Sequence, residues 1–450
     1  MKAIKTRLAI MNFLEFAVWG AYLTSLGSYL YEIGLEKNIG IFYAIQGIVS
    51  IFMPALIGIA ADRWVPAQKM LSLCHAIAGA TMLGAGLYAM TAPTVEFGPL
   101  FTLYSFSVAF FMPTIGLANS VAYSALNRAN LDTVKHFPPI RVFGTVGFIC
   151  AMLFSNFTGY QDSYGQLITS GALSFVLAVY ALTMPNCPVN KEAAKSLSET
   201  FGLNAFKLFK DRQMAFFFIF SMLLGVSLQI TNGFANPFIK SFKDMTLYAD
   251  SFGANNANAL ISLSQMSETL CILLIPFFLK RFGIKVVMLM SMFAWVFRFG
   301  FFGLGNPGSG VWLFILSMIV YGIAFDFFNV SGSLYVDQKT DNSIRSSAQG
   351  LFMLMTNGIG ATIGTLGAQE VIDHCVPSFK LNPGEMLSAA QSEALSTGWS
   401  TAWYIFAGYA FVVAVVFMFI FKNPTPKPTV QSVEKDIADT PASPDGMVEM

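Results

Sequence analysis

The residues able to do chemistry in this chain are a few charged and amide side chains set inside apolar sequence. Asp326 stands in YGIAFDFFN, with WLFILSMIV before it and VSGSLYV after it. Glu268 lies at the middle of a second apolar run, Arg141 begins a third, and Glu15 and Arg298 lie in two more. Their neighbours recur at helical spacing. Gln229 and Asn232 in SLQITNGF are i, i+3, as are Gln265 and Glu268 in LSQMSETL. Arg141, Thr145 and Phe148 in PPIRVFGTVGF are i, i+4, i+7, and Tyr321 and Phe325 in YGIAFDFF are i, i+4, with Asp326 adjacent. On helices each set shares one side. If the four faces converge, they make a pocket of amides, carboxylates, one arginine and aromatic walls. Such a pocket suits an uncharged, flat, hydroxylated solute: polar groups bond hydroxyls and ring edges, and aromatic rings stack on the faces.

The elements that must position these groups follow from composition. The chain has 450 residues, 55% hydrophobic and 11% charged, with a mean hydropathy of +0.60. A soluble domain carries roughly 25% charged residues, so this is an all-α integral membrane protein. A net charge of +1 gives no basic footprint for nucleic acid. Five scattered cysteines offer neither a disulfide framework nor a metal site. The start, MKAIKTRLAIMNFLEF, has no small-residue cleavage site and is interrupted by Glu15, so it reads as an uncleaved first span.

A span needs about 20 apolar residues. Twelve candidates are found at 7–31, 39–61, 68–91, 97–123, 138–158, 166–185, 214–238, 257–279, 284–304, 311–335, 346–370 and 398–421. The division is six, a polar link, then six: an N-terminal bundle over 1–185, a cytoplasmic linker over 186–213, and a C-terminal bundle over 214–421. The remaining 422–450 reads as a disordered cytoplasmic tail, rich in proline and acidic residues. With the N-terminus inside, 20 Lys and Arg fall on the cytoplasmic side and 4 on the other. That asymmetry predicts both termini in the cytoplasm.

An ionised group at the bilayer centre costs about 2.5–3.5 kcal/mol on insertion scales, and such residues usually face a cavity or a partner. The blander readings stand beside that one. A lone amide is also interhelical glue, and Glu268 and Asp326 can be structural partners of Arg141 or Arg298. Arg298, toward the outer third of its span, reads as structural and is able to snorkel. Glu15 is a gate, a proton site or a structural bond, with nothing to choose between them. His75 reads as a satisfied packing residue, and Gly360 and Gly364 as marks of close helix packing. No HExxH motif, no His/Cys cluster and no nucleophile with a base is found, so the chain is not expected to be an enzyme and needs no cofactor.

In the loop after the second span, GIAADRW places Gly58 before Asp62 and Arg63. This resembles the G-x-x-x-D-R core of the gating loop of the major facilitator superfamily, and FLKRFGIK is its faint echo in the second half. Five longer strings are more specific: FPPIRVFGTVGFI (137–149), FFIFSMLLGVSLQITN (217–232), SQMSETLCILLIPFFL (264–279), LSMIVYGIAFDFFNVSGS (316–333) and SSAQGLFMLMTNG (346–358). They resemble the bacterial nucleoside permeases, the nucleoside:proton symporters of that superfamily, and the likeness runs from about residue 7 to 421.

The resemblance implies the major facilitator fold and uptake of nucleosides by alternating access, driven by inward proton flow. It implies a multi-pass protein of the bacterial cytoplasmic membrane that works as a monomer. Its substrate-site residues fall on Arg141, Thr145, Phe148, Gln229, Asn232, Gln265, Glu268, Tyr321, Phe325 and Asp326, the faces already picked out by spacing. Asp326 is the first candidate for the coupling proton and Glu268 the second. Two departures stand out: Glu15 occupies a position where relatives tend to have an amide, and the external loop 371–397 is long for the family. A proton-coupled sugar or glycoside importer is the alternative that the same pocket would serve.

Overall fold

The computed structural model describes residues 2–187, 203–340, 345–379, 381 and 385–422. Helices dominate throughout. Among the described residues, nine helical stretches are long and apolar enough to cross a membrane. The expected tail and much of the expected linker lie outside the described residues.

The N-terminal half contains α1 (Lys2–Gly20), α2 (Leu26–Glu32), α3 (Ile39–Arg63), α4 (Ala67–Thr91), α5 (Phe97–Arg128), α6 (Thr133–Phe157) and α7 (Gly165–Leu182). The first expected span is thus two helices, joined by turns over 21–25. Helix α1 packs on α6 and α7, and α4 lies between α5 and α7. The approach of α1 to α6 is close: a Cβ on Gly147 would run into the Phe13 carbonyl oxygen. Only a residue without a side chain lets the two backbones meet there.

The C-terminal half begins with α8 (Arg212–Ser241), whose first turn is capped by Asp211 accepting from the backbone N–H groups of Gln213 and Met214. Next comes α9 (Ala257–Leu304), two expected spans running on without a loop. The direction changes at Gly283, whose φ of 75° is left-handed and favours glycine. Helix α10 (Val311–Lys339) follows. Then α11 (Arg345–Met353) passes through a π-helical segment, Leu354–Gly360, into α12 (Ala361–Cys375). The last helix, α13 (Ala389–Ile420), starts at a capping box formed by Ser388 and Gln391. The core of this half is aromatic: the Phe238 ring lies 5.3 Å from both Trp399 and Trp403 and 5.4 Å from Phe314.

The halves meet through α3 against α12 and the π segment, α6 against α9, and α2 against α8. At the end of the molecule that carries α2, a polar network joins them. Thr24 donates to Asn258 Oδ1 at 2.9 Å, Asn236 donates to the same oxygen at 2.6 Å, and Asn156 donates to Asn256 at 2.8 Å. Lys240 pairs with Asp162 across the same seam. The loop after α12 lies over this end: Ser378 donates to Glu36, and the Leu387 N–H donates to the Asp244 carbonyl.

Candidate functional site

Helix α10 presents its polar face as the spacing requires. The Tyr321 and Phe325 rings, one turn apart, are stacked 5.8 Å apart at 5°. Asp326 is 4% exposed, and its Oδ2 has no hydrogen-bond partner among the described residues. Glu268 of α9 acts on it electrostatically, and both carboxylates and Gln265 lie near enough to Tyr321 to act on its hydroxyl. Five candidates from α9 and α10 therefore form one group. Phe325 also lines a narrow crevice with Leu228, Trp295, Asn329 and Asn357.

Gln229 and Asn232 form their own pair one turn apart on α8, Asn232 Nδ2 donating to Gln229 Oε1 at 3.1 Å. Both side chains are partly accessible.

Arg141 comes from the other half. Its guanidinium lies over the Phe16 ring, 3.8 Å from the centroid, a cation–π contact. It acts electrostatically on Glu268 across the α6–α9 contact and on Glu15 within its own half. Thr145, one turn on, is partly exposed, while Phe148 is buried and meets the Trp19 ring edge-on at 6.2 Å.

Arg298 does not snorkel. It is 2% exposed, donates to the Ser317 carbonyl at 2.7 Å, and lies over the Tyr321 ring at 4.6 Å. It thereby fixes the ring that stacks on Phe325. His75 is satisfied, as its structural reading requires, but by Glu15: the Nε2–Oε2 distance is 2.8 Å and both side chains are fully buried. Gly58 lies in α3 with open space around it; the side chains of Asp62 and Arg63 lie outside the description.

Besides the Glu15–His75 pair, sequence reasoning missed a cluster around Gln46. Trp19 Nε1 donates to Gln46 Oε1 at 3.3 Å, and Gln46 Nε2 donates to the Tyr104 hydroxyl at 2.9 Å. This links an amide and two aromatic side chains from α1, α3 and α5, with Trp19 packed against Phe148. The available signal was Gln46 itself, a lone amide in the second apolar run. The assembled groups offer hydroxyl-binding amides, two neighbouring carboxylates and flat aromatic walls. Among the described residues no cluster has the composition of a metal site.

Comparison with known proteins bears on this arrangement. A family model described as nucleoside H+ symporter matches residues 1–426. The chain is 46% identical to the xanthosine permease of Escherichia coli (strain K12) over 93% of its own length and 96% of that protein. It is 44% identical to the nucleoside permease NupG of the same organism, with the same coverage. A crystal structure of nucleoside transporter NupG superposes with a TM-score of 0.82 at 44% identity, covering 94% of this chain and 100% of that one.

Proposed function

The chain belongs to the nucleoside H+ symporter family, and on that premise we propose how its buried groups couple the two substrates. The protein carries nucleosides inward together with protons, as a multi-pass permease of the bacterial inner membrane and not as an enzyme.

Our reading of the site assigns the nucleoside to the space between α6, α8, α9 and α10. Gln229, Asn232, Gln265 and Glu268 bond the ribose hydroxyls. Tyr321 and Phe325 line the base, with Arg141, Thr145 and Phe148 on the facing wall. Asp326 carries the coupling proton, and Glu268 is its partner. The observation that carries this is the Asp326 carboxyl: buried, with one oxygen unpartnered among the described residues, beside a second carboxylate. Burying charge without a hydrogen bond is unfavourable, and two neighbouring carboxylates favour holding a proton between them. Protonation from outside removes that cost as the loaded pocket is sealed, and release inside restores it.

We further read the chain as twelve spans in two six-helix bundles, over 1–185 and 214–421, with both termini cytoplasmic and the protein acting as a monomer. The α1–α2 turn and the change of direction at Gly283 support that count, and the 20 to 4 distribution of Lys and Arg supports the orientation. The polar network around Thr24 and Asn258 then closes the outer side. Asp62 and Arg63, with Gly58, belong to the cytoplasmic gating loop on this reading.

Labelled uridine, adenosine and xanthosine should enter cells that lack their own nucleoside uptake, saturably, and a protonophore should collapse the accumulation. No uptake of any of them, with the protein present in the membrane, would refute the assignment. The glycoside alternative would then be tested by sugar competition.

A further inference from the structure

The N-terminal half buries a carboxylate that Asp326-based coupling does not use. Glu15 of α1 and His75 of α4 are both 0% exposed. One Glu15 oxygen receives the Thr114 hydroxyl of α5 at 2.6 Å, and the other lies 2.8 Å from His75 Nε2. On the far side of the ring, His75 Nδ1 lies 2.9 Å from Ser174 Oγ of α7, and that hydroxyl donates to the His75 carbonyl at 3.0 Å. Four helices thus converge on one chain of hydrogen bonds.

With the Ser174 hydrogen on the His75 carbonyl and Glu15 ionised, counting protons fixes the charge of that chain. A serine hydroxyl has a single hydrogen. Given to the His75 carbonyl, it leaves the Ser174 oxygen as an acceptor, so Nδ1 must donate. An ionised carboxylate accepts only; Thr114 then donates to Glu15 rather than to the Phe111 carbonyl, also 2.6 Å away, and Nε2 donates as well. The arrangement is then an imidazolium beside a carboxylate, with no net charge. Shifting the shared proton from Nε2 to the Glu15 oxygen keeps it neutral. Losing that proton leaves one uncompensated negative charge in an apolar interior.

The other ionisable groups acting on Glu15 are Cys74 on α4 and Arg141 on α6. From α5, Phe111 presents a ring edge 6.0 Å from the imidazole. Arg141 is the informative neighbour. It is stacked on Phe16, the residue after Glu15, and it also acts on Glu268. One cation therefore serves a carboxylate in each half.

We propose that Glu15 and His75 form a second proton-binding site, separate from Asp326 and Glu268, whose occupancy is felt in the nucleoside pocket through Arg141. When the pair holds its proton, Glu15 is neutralised by His75 and Arg141 is left to Glu268. When the proton leaves, Glu15 competes for Arg141, and the charge balance of the pocket changes. The inference rests on the symporter reading for its consequence in transport, but the site itself is testable without transport.

The chain has three histidines. Replacing the two accessible ones, His136→Gln and His374→Gln, leaves His75 as the sole reporter in full-length protein reconstituted in lipid. Nitrogen-15 spectra of labelled histidine should show both ring nitrogens protonated near neutral pH, and Glu15→Gln should convert the ring to neutral imidazole. A neutral ring from about pH 5 to about pH 8 with Glu15 in place would overturn the proposal, and so would a ring state indifferent to Glu15→Gln. In vesicles with an imposed pH gradient, the alkaline limb of nucleoside uptake on a logarithmic scale should lessen from a slope of about two to about one in Glu15→Gln. An unchanged slope would reduce the pair to packing. Lack of proton-driven uptake in the unsubstituted protein would refute the transport reading instead, and the ring spectra would still decide the site.

Discussion

Asp326 concentrates the chemistry at the scale of single residues, because its carboxyl is buried with one oxygen unpartnered among the described residues. Replacing it with asparagine keeps the shape and removes the titration. Asp326→Asn is therefore expected to abolish accumulation against a gradient while leaving exchange of labelled for unlabelled nucleoside across vesicles. Full accumulation in that variant would remove Asp326 from the coupling step. The pH dependence has a definite sign: a site that must be protonated from outside for uptake loses rate as the external pH rises, and Asp326→Asn should lessen that loss. Arg298 makes a different demand. Its guanidinium spans the Ser317 carbonyl and the Tyr321 ring, so Arg298→Lys keeps charge but loses the planar contact. Nucleoside binding should weaken by about tenfold, the equivalent of ~1.4 kcal/mol, measured by displacement of labelled nucleoside from purified protein. Much of this chemistry was legible in the sequence, because an isolated carboxylate in an apolar run has few roles. The Glu15–His75 bond was not, since its partners lie 60 positions apart and share no helical spacing.

Among the elements, the helix contacts depend on small residues at particular positions. Gly147→Ala drives a methyl into the Phe13 carbonyl, and overpacking of this kind costs about 1–3 kcal/mol. The variant should melt several degrees lower in a thermal assay, whereas Gly116→Ala, with nothing within 4 Å of the new carbon, should melt with the parent. An equal fall in both would sink the packing argument. Gly360 and Gly364 were readable as packing glycines from sequence, and the backbone around Met222 and Val226 does press against them. The π-helical turn over Leu354–Gly360 was not readable. Apolar periodicity reports which residues prefer lipid or core, and one extra residue in a turn leaves that preference unaltered. The same limit hid the break between α1 and α2, where the apolar run continues through turns over 21–25.

For the whole molecule, the two halves are held at one end by amides and hydroxyls, with Lys240 and Asp162 as an ionic addition. If that end must open in each cycle, fixing it should stop transport. Cysteines at Thr24 and Asn258, in a protein whose exposed Cys150 has been replaced, should cross-link on oxidation and halt uptake, and reduction should restore it. Undiminished uptake by cross-linked protein would mean that this seam does not move. The join at Gly283 bears on how the protein is made. The two arms of α9 share no loop, and Lys280 and Arg281 stand exposed where they meet, with Lys285 tied to the Met418 carbonyl. During synthesis neither arm has slack to enter the bilayer alone, and translocating the basic tip is disfavoured. In the proposed orientation the pair goes in together as a helical hairpin, with its charged bend left on the ribosome's side.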